Sequence, residues 1–292
     1  MKALQLGKIA IDVVVETPRV PMTFAEFLPD STREALAAER NWLEPAFADL
    51  DQGVGFLAFH SYLLRTPRGT VLVDACIGND KDRGGHAAFH RLNTPWLENL
   101  RAAGVRPEDV DFVMCTHMHA DHVGWNTRLI DGRWVPTFPK ARYVFARTEY
   151  QHRRSAWQAD GNAGNGAFAD SVLPIEASGQ AMIVDGDYEL DEYLRLEPAP
   201  GHTPGNVVVH AQSQGRRAVL SGDVIHHPIQ VCYPEWSALF CEDRMQSAQC
   251  RQAFVERHTD TATIILPAHF PAPTAGRIQR RGGRWRFDFL DT

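Results

Sequence analysis

The sequence predicts an α/β protein: two β-sheets packed face to face, with helices on the outside. Three observations carry this. Apolar strand-like runs fall into two groups, one near residues 55–146 and one near 181–269. Helix-like segments accompany both groups, as expected when each sheet covers one face with helices. Polar clusters sit where apolar strands end, a common place for a functional site in mixed α/β folds. With 292 residues, 44% hydrophobic and 23% charged, the chain is ordinary globular material. It can bury one large core or two small ones.

The elements follow in order. The opening MKALQLGKIAIDVVVETP carries Lys2, Lys8 and Asp12 within its apolar residues, so it does not read as a signal peptide. Residues 31–50 read as a helix, with Ser31 and Glu34 forming a capping box. GFLAFHSYLLRT (55–66) and TVLVDA (70–75), split by PRG, read as a β-hairpin. TPWLENLRAAG (94–104) reads as a short helix with Pro at its start and Gly at its end. VDFVMCTH (110–117) is a buried strand running into a polar loop, ARYVFA (141–146) another strand, and 148–158 helical. GNAGNG (161–166) reads as a surface loop. Strands follow near 181–185, 193–197, 206–211 and 217–222, then a helix over 243–258 and a buried strand, TATIILPAH, over 261–269. The basic tail RIQRRGGRWRF (277–287) reads as a closing hairpin, its two runs separated by Gly-Gly.

Composition excludes several classes. No apolar run approaches the roughly 18–20 residues of a membrane helix. A net charge of −6 disfavours a nucleic-acid binder. Five cysteines, odd in number and without a CxxC pair, read as reduced thiols and place the chain in the cytoplasm.

The chemistry concentrates in Thr116-His117-Met118-His119-Ala120-Asp121-His122. Imidazole and carboxylate are good ligands for zinc and similar divalent metals. His117 and His119 alternate, so an extended backbone points both to one side. Asp121 and His122 are adjacent and diverge toward a second metal. Three single residues at strand ends follow: His202 in GHTPG, Asp223 in LSGD and His269 in LPAH. Alone each is a weak signal; with the first run they make seven candidate ligands. A purely structural metal site is the competing reading, but such sites are usually closed and rich in Cys.

In this order, HxHxDH, GHTPG, GD and AH, the sequence resembles the metallo-β-lactamase-fold hydrolases. Its pattern is most similar to quorum-quenching lactonases and methyl-parathion-hydrolase-like enzymes. The resemblance implies one four-layer αββα domain with a dinuclear metal site. By position, His117, His119 and His202 would bind the first metal, and Asp121, His122 and His269 the second. Asp223 would bridge the two. Two divalent ions are implied, zinc by default, with iron, manganese or cobalt also compatible. Asp74 in LVDA matches an acidic residue that would orient a ligand; a plain strand-end turn residue is the alternative. A hydroxide bridging the metals would attack the substrate, and Asp121 could also carry a proton to the leaving group.

Fold does not give substrate. The bridging Asp disfavours a true zinc β-lactamase. The 23 residues after His269 leave no room for the helical domain of glyoxalase II-like enzymes. The negative charge argues against RNA-processing nucleases, and His119 against flavin-coupled di-iron members. The expectation is hydrolysis of a small-molecule ester, best a lactone such as an acyl-homoserine lactone. An organophosphate or aryl-ester hydrolase is the alternative, a mononuclear iron sulfur dioxygenase a further one, and a metal-binding scaffold without turnover the non-enzyme reading. No nucleic acid or membrane partner is expected, and a homodimer only by analogy. Residues 20–50, with Phe24, Phe27, Leu28, Trp42, Leu43 and Phe47, read as a lid, a dimerisation segment or a plain core cover. His226 either faces substrate or hydrogen-bonds the chain. Tyr233 is either an oxyanion donor or an interior residue. His60, His86, His90, His152, His210 and His258 have no partner motif and are read as structural or surface.

Overall fold

The structure is a computed structural model describing residues 4–290. Among these, one sheet has eight strands. Its order is Leu4–Leu6, Ile9–Thr23, Val54–Thr66, Gly69–Val73, Phe112–Met114, Arg142–Ala146 and Ala181–Val184, with Ala48–Asp49 pairing beside Val54–Thr66. A second sheet of seven runs Tyr188–Glu189, Leu194–Pro198, Val207–Ser213, Arg216–Leu220, Ile264–Leu266, Gly276–Arg281 and Arg284–Phe289. The expected hairpins at 55–75 and 277–287 are both present.

Side-chain alternation shows how the layers stack. Successive strand residues point to opposite faces. Leu64, Val71, Val73, Met114 and Val144 of the first sheet meet Leu196, Val207, Val209, Leu220 and Leu266 of the second in one apolar layer. Their neighbours Leu63, Leu72 and Val113 turn outward onto Trp96 and Leu100 of helix Trp96–Ala102. On the far side Val208, Val219 and Ile265 pack against Phe254 and Val255 of helix Arg244–His258. The order helix, sheet, sheet, helix is the αββα sandwich. Strands buried on both faces explain the continuous apolar runs in the sequence.

Two expectations are corrected. Residues 31–50 are not one helix. Two short helices, Arg33–Ala38 and Arg40–Leu43, are followed by turns and the strand Ala48–Asp49. Pro45 cannot continue a helix, and Glu39, only 2% exposed, is turned inward by ion pairs with Arg284 and Arg286. The cap is Thr32, whose hydroxyl accepts from the Ala35 amide at 3.2 Å, and not Ser31. The second correction is the long strand Ile9–Thr23, which had no counterpart in the sequence reading. Pro18 and Pro21 break its pattern. They are tolerated because the neighbour on that edge pairs only with residues 9–11.

Several apolar residues of 20–50 pack inside the chain. Phe24, Phe27, Leu28, Leu43 and Phe47 are buried with Ile229, Trp236 and Ala238. No helix of the described residues is long and apolar enough to cross a membrane. All five cysteines are free thiols.

Candidate metal centre and active site

Four strands deliver the site residues from their carboxyl ends. Phe112–Met114 leads into His117 and His119, then into the single turn Ala120–Val123 that carries Asp121 and His122. Leu194–Pro198 leads to His202, Arg216–Leu220 to Asp223, and Ile264–Leu266 to His269. Backbone glycines let these loops close together. A Cβ on Gly205 would lie 2.1 Å from the Glu149 amide nitrogen, so the GHTPG loop can only seat against helix Arg147–Ala159 with glycine there.

The seven residues form two adjoining groups. In the first, His117 Nε2, His119 Nδ1 and His202 Nε2 lie 2.8–3.1 Å from one another. Asp223 Oδ2 stands 3.1 Å from His202 Nε2 and 3.6 Å from His117 Nε2. In the second, His122 Nε2 and His269 Nε2 are 3.2 Å apart, each 3.6 Å from Asp121 Oδ2. Asp223 Oδ1 completes it, 3.2 Å from His122 Nε2 and 3.0 Å from His269 Nε2. Asp223 thus offers one oxygen to each group.

These donors fit metal ions. Four ligands at about 2.0–2.1 Å around a tetrahedral zinc lie roughly 3.3 Å apart, close to the spacing here. Three imidazole nitrogens converging on one point cannot satisfy each other with hydrogen bonds, and Asp223 Oδ1 is buried without a hydrogen-bond partner. Two cations would serve all of these lone pairs. His117, His119, His202 and Asp223 would hold one, and Asp121, His122 and His269, with Asp223 Oδ1 beside them, the other.

The electrostatics divide the imidazoles. Burial, helped by neighbouring imidazoles, holds His117 and His119 well below their usual range, so both are neutral lone-pair donors. Burial is the largest influence on His122, His202 and His269 and opposes their charge. The groups facing them together raise each: Asp223 at all three, with Asp74 and Asp121 at His122, Cys241 at His202 and Asp121 at His269. His202 is lifted to about 9. Burial would raise Asp223, but His122, His269, His202 and His226 together pull it well below the carboxylate range.

Asp74, buried at the end of Gly69–Val73, holds His122 from behind: its Oδ2 is 2.9 Å from His122 Nδ1. Its Oδ1 accepts from the Thr116 amide at 2.8 Å. Glu149 ties the two ligand loops together. It accepts from the Met118 amide at 3.0 Å, the Thr203 hydroxyl at 2.6 Å and the Gly205 amide at 3.2 Å. His226 is fully buried, its Nε2 3.3 Å from both Asp223 Oδ2 and His202 Nδ1. His202 Nδ1 also lies 3.5 Å from the Cys241 thiol.

Tyr233, expected to be either an oxyanion donor or an interior residue, does not line the cleft that opens on the centre. After Asp223 the chain turns through Gly222–Val224 and helix Ile229–Cys232. This carries Tyr233 to Trp236 and to Arg284, whose guanidinium donates to its hydroxyl at 3.1 Å.

A cleft of about 310 Å³ opens on the centre. His119, Asp121, Asp223 and His269 reach it, between walls of Met22, Leu57, Phe59, Phe89 and Phe240. His86, Gly164 and Asn165 line its rim. A larger groove of about 950 Å³ lies over the second sheet, but it holds none of the seven residues. Size alone therefore does not mark the site.

A family model for the metallo-beta-lactamase superfamily matches residues 54–269. The chain belongs to the metallo-beta-lactamase superfamily. It is a metal-dependent hydrolase of that superfamily, with a His/Asp cluster consistent with a two-metal site. A "Probable metallo-hydrolase" of Mycobacterium tuberculosis is 26% identical over 251 residues, covering 75% of this chain and 76% of that protein. An N-acyl homoserine lactonase of Bacillus thuringiensis is 25% identical over 173 residues, 54% of this chain and 60% of that protein. Among solved structures, the hydrolase AbOPH of the beta-lactamase superfamily superposes with TM-score 0.81 at 21% identity, covering 99% of this chain and 97% of that one. AidC, a dizinc quorum-quenching lactonase in complex with a hydrolysis product, superposes with TM-score 0.79 at 20% identity, covering 100% and 97%. These two likenesses show the shared superfamily fold.

Several residues of the site carry no signal in the sequence. His86 was read as structural or surface yet lines the cleft rim. The walls Met22, Phe89 and Phe240, and the tie Glu149, carry no motif. Only the superfamily's layered fold brings their distant segments together.

Proposed function

We propose that this chain hydrolyses a small-molecule ester with two metal ions, and that the ester is a lactone carrying an apolar tail. One observation carries the reading: an apolar cleft of about 310 Å³ ends on the two adjoining donor groups. The N-acyl homoserine lactonase relatives support the lactone class. When bound, two ions would lower the pKa of a water between them toward neutrality and polarise the ester carbonyl.

The chain's own residues do the rest. Phe59 packs its edge against His269, with ring centres 5.1 Å apart, and Phe240 against His202 at 5.9 Å. These rings keep bulk water from the reacting bond and offer an apolar surface to the tail. Ester cleavage consumes water and releases a carboxylic acid and an alcohol. The proton leaving the attacking water must reach the alkoxide. Asp121, which lines the cleft, would carry it.

The aromatic walls favour one second reading, an aryl ester or phosphotriester with a flat leaving group. The test is proton release by zinc-loaded protein on acyl-homoserine lactones, simple γ- and δ-lactones, aryl esters and a phosphotriester. Preferred turnover of lactones, abolished by chelator and restored by metal, is the expected result. Silence on lactones with turnover of the phosphotriester or aryl esters would select the second reading.

A further inference from the structure

Two irregular segments form the cleft rim. One supplies His86 and Phe89, the other Gly164 and Asn165. Neither segment lies in a sheet, so something else must fix the distance between them. An ion pair with a buried guanidinium joins them. Arg83, 1% exposed, grips Asp170 with both arms, Nη1 to Oδ2 at 2.6 Å and Nη2 to Oδ1 at 3.0 Å. The same Nη1 donates to the Asn165 carbonyl at 3.0 Å.

Arg83 is also the base of the turn that shows His86 and Phe89 to the cleft. Its carbonyl accepts from the His86 amide at 3.2 Å, and its amide donates to His90 Nδ1 at 3.2 Å. Phe89 then meets Phe59 edge to face, ring centres 5.2 Å apart, and Phe59 meets His269. A planar guanidinium fork fixes direction as well as distance. A largely buried ion pair is a poor source of stability, so its use here is sought in the geometry it imposes.

We propose that Arg83 and Asp170 are positioning residues of the substrate cleft. Their fork holds the two rim turns at one separation, and that separation sets how large a group the cleft accepts beyond the reacting bond. This rests on the ester-hydrolase reading above.

Arg83→Met is the informative variant, because Lys81 stays paired with Asp170, its Nζ 3.4 Å from Oδ1. Arg83→Lys, which keeps the charge but loses the fork, is the milder variant should the Met variant fold poorly. The probes are the p-nitrophenyl esters of acetate, butyrate and octanoate, with metal content checked. The expected result is a KM for octanoate raised about tenfold, with acetate kinetics within about twofold and metal content unchanged. A uniform loss across all three esters, or no change, overturns the proposal. Hydrogen exchange needs no substrate and supplies the second readout. Faster exchange in both 84–90 and 161–168 supports the clamp. Faster exchange in 84–90 alone, or in neither, overturns it. Should the wild-type protein cleave none of these aryl esters, the lactone reading is untouched, and exchange alone decides the clamp.

Discussion

Asp74→Asn changes one atom and should weaken one metal. Asp74 sits at φ 59°, a left-handed conformation that asparagine also tolerates, so the backbone gains no strain. An asparagine oxygen would keep the 2.8 Å bond from the Thr116 amide. Its NH2 would then face His122 Nδ1, where Asp74 Oδ2 now lies at 2.9 Å. A carboxylate there takes Nδ1–H and leaves Nε2 with its lone pair toward Asp121, His269 and Asp223. An amide donor demands the opposite tautomer, with the proton on Nε2 and no lone pair for a metal. His122 is 1% exposed, so no water can relieve the conflict. Losing such a partner typically costs 10–100-fold in metal affinity, or about 1.4–2.7 kcal/mol. The first group, His117, His119 and His202, does not touch Asp74 and keeps its ion. Competition with a chromophoric chelator should resolve one unchanged and one weakened equivalent. Long-range nitrogen–proton NMR should show the changed tautomer. Two equivalents bound as tightly as in the wild type would refute the reasoning.

Three further predictions follow from the same geometry. Asp223→Ala should abolish hydrolysis and most second-metal occupancy while the protein stays folded; full activity would contradict a bridging role. His227 is neutral in the fold, its Nε2 donating to the Phe47 carbonyl at 2.8 Å and its Nδ1 accepting from the Ile229 amide at 3.2 Å. Burial holds it down to about 4, against 6.5 when unfolded. The unfolded chain therefore binds more protons between those values, so this stability is present above pH 6.5 and lost as pH falls toward 4. The full loss is about 3 kcal/mol, and His227→Gln should flatten that part of the curve measured by urea unfolding. Leu64→Ala, in the layer between the sheets, should cost about 2–5 kcal/mol in the same assay with metal content unchanged.

What the sequence made legible was whatever chemistry writes locally. His117 to His122 lie within six residues, and His202, Asp223 and His269 each follow an apolar strand, so their convergence could be anticipated. The hairpins and most strands were legible for the same reason, since short apolar runs bounded by turn residues show in short windows. Long-range partners were not. Glu39 stops a helix that local pattern favours, because Arg284 and Arg286 reach it from the far end of the chain. His86 looks like any surface histidine until Arg83 binds Asp170 and turns it to the cleft. The sequence left Tyr233 open between two roles because its proximity to Asp223 in sequence is undone by one short helix.

The most direct test of the account is the number of metal ions that one chain holds. Protein stripped with chelator, reloaded with zinc, freed of excess and assayed by mass spectrometry of the metal should carry two ions per chain. One ion per chain would contradict the paired donor groups built around Asp223 and would return the mononuclear iron chemistry to consideration.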